Sequence, residues 1–228
     1  MTTTELRPFE LPRFDRPDLS LHLRACEARV ALGLKRLIDV TFSLVALVVF
    51  APLMVAAAAA VKLSSPGPVF FRQERVGQNG IAFRVMKFRS MCADAEREVA
   101  ELMEQNGGYR PFYKIRCDPR VTAVGKFLRR TSIDELPQFF NVLRGHMSIV
   151  GPRPQVRAEV DQYEQAHYRR LLVKPGITGL WQVSGRSDLP WHRAVRLDVR
   201  YVDEWSLAKD LSIMARTVKV VLSSRGAY

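Results

Sequence analysis

Cysteine is scarce in this 228-residue chain: Cys26, Cys92 and Cys117 stand far apart, and no CxxC pair exists. That excludes a disulfide framework and a cysteine-based zinc site, and it fits a reducing compartment. Histidine is as thin, with four residues and no metal-ligand spacing, so no histidine is given a role. Acidic residues are also in deficit, 23 against 35 Lys and Arg, for a net charge of +12. A balance this basic implies an acidic partner: nucleic acid, anionic lipid or a phosphorylated substrate. No internal repeat is present, and no low-complexity tract beyond Ala56–Ala60. No recognised nucleic-acid motif is present either, so nucleic acid is not the expected partner. The first 20 residues lack a short apolar core followed by a small-residue cleavage site, which argues against a signal peptide. With Pro8, Pro12 and Pro17 among mixed charges, they read as a flexible tail.

One long segment lacks charge altogether. Val40 to Val61 carries no charged residue, which matches the ~20 residues that cross a bilayer as a helix. Soluble core helices rarely stay uncharged for so long. Two features oppose a simple span. Pro52 sits in the middle of the run, where it removes a helical hydrogen bond and clashes with the preceding turn. Arg24, Arg29, Lys35 and Arg36 precede the run and Lys62, Arg72 and Arg75 follow it, so both flanks ask for the cytoplasmic side. A helix bent at Pro52 satisfies both. Its arms of about 10–12 residues reach roughly 15–18 Å at 1.5 Å per residue, short of a ~30 Å hydrocarbon core. The expectation is a re-entrant helical hairpin that dips into one leaflet.

The remaining pattern predicts an α+β chain: a mainly helical cytosolic catalytic domain with a small β-hairpin, attached to the membrane hairpin. The expected divisions are 1–34 (tail and amphipathic helix), 35–63 (re-entrant helix broken at Pro52) and 64–228 (catalytic domain). Val69–Val76 and Ile81–Phe88 flank Gly77–Gly80 as a hairpin. Cys92–Gln105 reads as an acidic helix stopped by Asn106-Gly107-Gly108, and Ala123–Arg130 as a short basic helix. Met147–Val150 is a short apolar strand or buried segment and Gln155–Gln165 a polar helix, with another short strand near Trp181–Val183. Pro190–Trp205 and Leu207–Ser223 read as two amphipathic helices. The basic face of the second suits either anionic lipid or plain solvent.

The chemistry concentrates in Thr131–Pro154. Ser132-Ile133-Asp134-Glu135 fits an S-x-x-E capping box, with Ser132 as N-cap of a helix running to about Gly145. The structural reading stops there. The functional reading adds that a helix N-terminus keeps Asp134 ionised and favours phosphate, and an ionised aspartate can attack phosphorus. Glu135 projects about 100° away on an ideal helix, so the pair suits a metal or phosphate between them better than face-to-face acid–base work; hard Mg²⁺ takes such oxygens. Phosphate also needs cations. Arg129 and Arg130 precede the carboxylates, Arg153 stands in Gly151-Pro152-Arg153-Pro154, Lys87 and Arg89 end the second hairpin strand, and Arg72 and Arg75 lie on the first. Guanidinium groups grip phosphate bidentately. Gln73 is a candidate for polar recognition.

These pieces in this order resemble the bacterial sugar transferase family, whose members are monotopic polyprenyl-phosphate phosphoglycosyl transferases. The resemblance is carried by Lys35–Asp39, Ser65–Gly77, Lys87–Met91, Asp134–Gln138, Ser148–Pro154 and Lys174–Gly179. It implies Asp134 as nucleophile, Glu135 as its partner in Mg²⁺ binding, and Arg129 and Arg153 as active-site arginines; Lys87, Arg89, Arg72, Gln73 and Gln138 are the further candidates for substrate or phosphate contact. The implied reaction moves a hexose-1-phosphate from a UDP-sugar to polyprenyl (undecaprenyl) phosphate through an aspartyl-phosphosugar adduct, releases UMP, and begins exopolysaccharide or surface-glycan synthesis. The implied location is the bacterial cytoplasmic (inner) membrane, with the catalytic domain on its cytoplasmic face. The implied partners are UDP-sugar, polyprenyl phosphate and membrane lipid; oligomeric state is left open, a homodimer included. One departure is visible: the family often has Ser-Pro at the membrane break, and this chain has Ala51-Pro52. The end of the chain resembles exopolysaccharide-type hexose-phosphate transferases, a hint toward UDP-glucose or UDP-galactose. Two other classes compete on composition alone: a membrane-tethered basic module binding anionic lipid or nucleic acid, and a structural single-pass protein. Neither gives carboxylates a reason to sit among arginines.

Overall fold

The computed structural model describes residues 25–92, 118–185 and 189–223. The expected tail and the expected helix at Cys92–Gln105 fall, wholly or almost wholly, outside them. Two helices open the fold, α1 (Ala25–Val49) and α2 (Ala51–Ser64). They meet at Phe50 with a bend of 63°. Pro52 lies in the first turn of α2, where its missing N–H is tolerated and its fixed φ suits a new helix start. No single described helix is long and apolar enough to cross a membrane, whereas the bent pair passes on length and composition. Leu44, Val45, Val48, Val49, Leu53, Val55 and Leu63 are exposed on it, and exposed apolar side chains gathered on one element mark a contact surface.

The expected division at residue 35 falls inside α1, because the polar residues before the uncharged run dock on the rest of the chain. Lys35 Nζ donates to the Val150 carbonyl at 3.0 Å and to Asp210 Oδ2 at 2.7 Å. Arg36 reaches the carbonyls of Val142 and Leu143 at 2.7 and 2.9 Å. Buried Asp39 accepts from the Ile149 N–H at 2.8 Å and the Ser148 hydroxyl at 3.0 Å. One helix thus has a polar root and an apolar shaft.

After α2 come β1 (Phe70–Val76) and β2 (Ala82–Phe88). They pair antiparallel from Phe70↔Phe88 to Val76↔Ala82, as the sequence predicts. Then follow α3 (Ala123–Thr131), α4 (Gln138–Leu143), β3 (Ser148–Val150), a single turn α5 (Arg157–Val160) and β4 (Gly176–Thr178). The chain ends with α6 (Trp191–Asp203) and α7 (Leu207–Ser223). The fold is α+β, with a second small sheet of parallel β3 and β4. The expected strand near Trp181 is a turn instead; the strand lies earlier, at Gly176–Thr178, where β3 supplies its partner. The polar helix expected over Gln155–Gln165 is reduced to α5, followed by a 3₁₀ segment at Gln165–Leu172.

Among the described residues, three apolar clusters hold this together. The largest joins Ala46 of α1, Phe83 and Val85 of β2, Phe139 and Val142 of α4, Ile149 and Val150 of β3, Tyr201 and Val202 of α6, and Ile213 of α7. The second packs Ala57 and Val61 of α2 on Phe88 and Leu128, with Ile133 beside them. The third, Val76, Val160, Tyr163 and Leu171, backs the hairpin tip. Each fully buried side chain of this kind contributes about 1.5–3 kcal/mol. The second cluster matters most for the site, because it fixes the apolar helix pair to the turn that carries Asp134.

Candidate active site

The turn Ile133–Glu135 joins α3 to α4 as one 3₁₀ turn. The capping box expected there does not form. Ser132 takes a left-handed conformation (φ 59°, ψ 16°), closes α3, and makes no side-chain cap bond. Pro137 then precedes α4, so the regular helix starts beyond the carboxylates. Asp134 is consequently packed into the protein at 8% exposure rather than presented on a helix end. Its pKa is pushed up to about 6, first by burial and then by the neighbouring Glu135 charge, against the pull of Lys87 and Arg129. The expected ionisation by a helix dipole is thus replaced by a balance of desolvation against two cations.

Lys87 Nζ lies 2.6 Å from Glu135 Oε1, so the hairpin clamps the Ile133–Glu135 turn from the β2 side. Arg129, in the last turn of α3, donates from Nε to Ser90 Oγ at 2.8 Å. Burial lowers its pKa, and the charges of Asp134 and then Asp118 raise it. Asp118 is itself held below the ordinary carboxylate range by its hydrogen bond to Arg120.

An open cleft of about 390 Å³ lies beside the turn, lined on one side by Phe71, Gln73, Arg75, Val85 and Lys87 and on the other by Glu135, Gln138, Arg153, Ile177 and Gln182. Strand alternation explains the first group. Phe71 faces Lys87 and Gln73 faces Val85 across the ladder, and these residues share one face of the sheet. Arg75 donates to Gln73 Oε1 at 2.5 Å, leaving the Gln73 amide nitrogen for other partners. Arg72 lies on the opposite, exposed face. Arg89 is not in the cleft either; the residue is 6% exposed, and its guanidinium donates to the carbonyls of Pro66 and Ser65 at 2.7 Å and of Val61 at 3.3 Å. It ties down the last carbonyls of α2, as cations near helix C-termini do.

Arg153 enters from the Gly151–Pro154 turn. Its guanidinium carbon lies 5.7 Å from the centroid of the Trp181 ring, within cation–π range. Its main-chain carbonyl accepts from Arg170 Nη2 at 3.0 Å. Arg170 is buried against Asp198 and Tyr163, and burial raises the Asp198 pKa to about 6 despite that arginine. The turn is pressed against β4: a Cβ on Gly176 would fall 2.1 Å from the Gly151 nitrogen, so both positions must be glycine. The two motifs 148–154 and 174–179 are therefore one unit in space.

Of the residues singled out from sequence, Glu135, Lys87, Gln73, Gln138 and Arg153 line one cleft, Asp134 is buried next to Glu135, and Arg129 acts on Asp134 by charge. Arg72 and Arg89 stand apart. Arg75 counts among the sequence's cations with no substrate role. Nothing local in the sequence marks Asp118, Trp181 or Gln182, and Ser90 lies within Lys87–Met91 with nothing local to mark its hydroxyl.

Comparison with known proteins settles the family. Residues 30–224 match the model of the bacterial sugar transferases. The chain belongs to the bacterial sugar transferase family. It is 43% identical over 198 residues to the exopolysaccharide production protein ExoY of Sinorhizobium fredii, covering 85% of this chain and 88% of that one. It is 45% identical over 194 residues to the galactosyl transferase CpsE of Streptococcus agalactiae serotype III, covering 85% of this chain and 43% of that longer protein. It is 42% identical over 210 residues to a UDP-glucose:undecaprenyl-phosphate glucose-1-phosphate transferase of Caulobacter vibrioides, covering 88% and 74%. Family and relatives together make this chain an enzyme, a phosphoglycosyl transferase.

Proposed function

We propose that the chain transfers a hexose-1-phosphate from a UDP-sugar to undecaprenyl phosphate in two steps, with Asp134 as nucleophile. The observation that carries this reading is the buried Asp134 carboxylate, ionisable near neutrality and flanked by Lys87 and Arg129 beside an open cleft. A Asp134 carboxylate oxygen attacks the β-phosphorus, the bond to the UMP oxygen breaks, and UMP leaves with its electron pair. A polyprenyl phosphate oxygen then attacks the same phosphorus and restores the carboxylate. Burial serves this chemistry: a poorly solvated carboxylate is a stronger nucleophile, while the cations keep it ionised above about pH 6. Lys87, Arg129 and Arg153 are the cations for the diphosphate oxygens. Gln73 and Gln138 offer uncharged amides to the rest of the donor.

Asp134 and Glu135 supply hard oxygen donors, a set that fits Mg²⁺ only when substrate phosphates and water complete it. Among the described residues no cluster of three His, Cys, Asp or Glu could cage a metal alone. When bound, the ion would offset the diphosphate charge. The bent pair α1–α2 supports a re-entrant seat in the cytoplasmic leaflet of the inner membrane, with Pro52 at the break and both cationic flanks on one side. The donor-sugar names of the relatives favour UDP-glucose or UDP-galactose.

The test is UMP release from a panel of UDP-sugars. Asp134→Asn should end it while membrane binding is retained; full release by that variant refutes the nucleophile. Single cysteines placed near residues 25 and 70 should label from the same membrane side, and labelling from opposite sides refutes the re-entrant seat.

A further inference from the structure

The hydrogen bond from Arg129 Nε to Ser90 Oγ is 2.8 Å long and half-buried, and the reaction above gives it no role. Arg129 leaves α3 in its last turn and has several rotamers open to it. Fixing Nε fixes the plane of the guanidinium, and with it the direction of the two terminal nitrogens. Those nitrogens are the fork that meets phosphate bidentately.

Ser90 is itself held without using its hydroxyl. Its carbonyl accepts from the Thr122 N–H at 3.1 Å, at the N-cap of α3. Its backbone lies against Gly125, where a Cβ would come within 1.9 Å of the Ser90 carbonyl oxygen. On its other side, Arg89 is bound to the carbonyls of Ser65 and Pro66, just past the end of α2. The main chain at Ser90 is therefore fixed from both ends by contacts that survive loss of the Oγ atom. What the hydroxyl adds is the contact to Arg129.

We propose that Ser90 is a positioning residue: it orients the Arg129 guanidinium toward Asp134 and the donor diphosphate. This rests on the transferase reading above and assigns a role to a residue outside the carboxylate and arginine set. Losing one hydrogen bond to a charged group should lower kcat/KM for UMP release about tenfold in Ser90→Ala.

The experiment is a double-mutant cycle on the full chain in detergent, with Ser90→Ala, Arg129→Lys and both together, followed by UMP release and by thermal unfolding. Lysine keeps the charge at 129 but has no Nε–H to be held. Ser90→Ala should therefore cost about tenfold in the native background and less than twofold in the Arg129→Lys background, with melting temperature nearly unchanged. Equal losses in the two backgrounds mean that Ser90 acts on the fold and overturn the proposal. Full activity of Ser90→Ala overturns it as well. A native chain that releases no UMP from any UDP-sugar overturns the transferase reading, and the positioning role with it.

Discussion

Replacing Asp134 with asparagine should end turnover and make the protein more stable at neutral pH. The carboxylate is 8% exposed, and its pKa stands at about 6 against an ordinary 3.8, chiefly because burial disfavours the charge. Between those two values the folded chain binds a proton that the unfolded chain does not. Asp134 therefore weighs on the fold most heavily above pH 6, and the burden lifts as pH falls toward 4. At about 1.36 kcal/mol per unit, the penalty reaches about 3 kcal/mol at pH 8 and falls to about 1 kcal/mol at pH 4.5. Asparagine keeps the shape and never carries the charge. For a chain of this size 1 kcal/mol moves the melting temperature by about 2–4 °C. The variant should thus melt roughly 6–12 °C above the native chain at pH 8, and only about 2–4 °C above it at pH 4.5. Thermal unfolding in one detergent, followed by circular dichroism at both pH values, reads this directly. An asparagine variant no more stable at pH 8, or a gain that is the same at both pH values, refutes the burial argument. The combination of lost activity and gained stability is expected where a fold stores a strained catalytic group.

Lys87→Met removes a cation that lowers the Asp134 pKa and frees Glu135 from its 2.6 Å partner. The acid limb of kcat/KM, near pH 6 in the native chain, should move up by about one unit; an unmoved limb in UMP-release profiles from pH 5 to 9 counts against the assignment. Gly176→Ala sets a Cβ 2.1 Å from the Gly151 nitrogen and 2.3 Å from the Thr178 carbonyl. Neither neighbour is a flexible side chain, so a loss of at least about 2–3 kcal/mol is expected in denaturant unfolding. Arg89→Met strips the carbonyls of Val61, Ser65 and Pro66 of their charged donor and should cost about 3–5 kcal/mol. It should also expose residues 64–70 to limited proteolysis, whereas an unchanged digestion pattern would deny Arg89 its role as the tie between α2 and β2.

Much of this fold is legible in one dimension. The uncharged run with Pro52 inside it announces a bent apolar element, and the break falls within two residues of that proline. The β-hairpin and the last two helices lie close to their expected limits. The clustering of carboxylates and arginines in Thr131–Pro154 marks the site. Each of these signals is local: a run without charge, an alternation, a proline, a turn of glycines.

Other features depend on neighbours that the local pattern does not name. Ser-x-x-Glu looks like an N-cap, yet Pro137 displaces the start of α4, Ile133 of that turn packs on the cluster holding Leu128, and Asp134 is buried. Arg89 reads as a phosphate ligand by charge and spacing, yet the end of α2 folds back within its reach. Arg72 and Arg75 look equivalent, but strand alternation turns only Arg75 into the cleft. Composition and periodicity declare which residue types are available and which stretches are helical, apolar or turning, because those properties belong to the chain itself. Which carboxylate is buried, which arginine faces the cleft and which binds the carbonyls at the end of a helix are set by desolvation and by distances of a few ångströms between segments far apart in sequence, and these come into being only when α2, the hairpin and the Asp134 turn pack against one another.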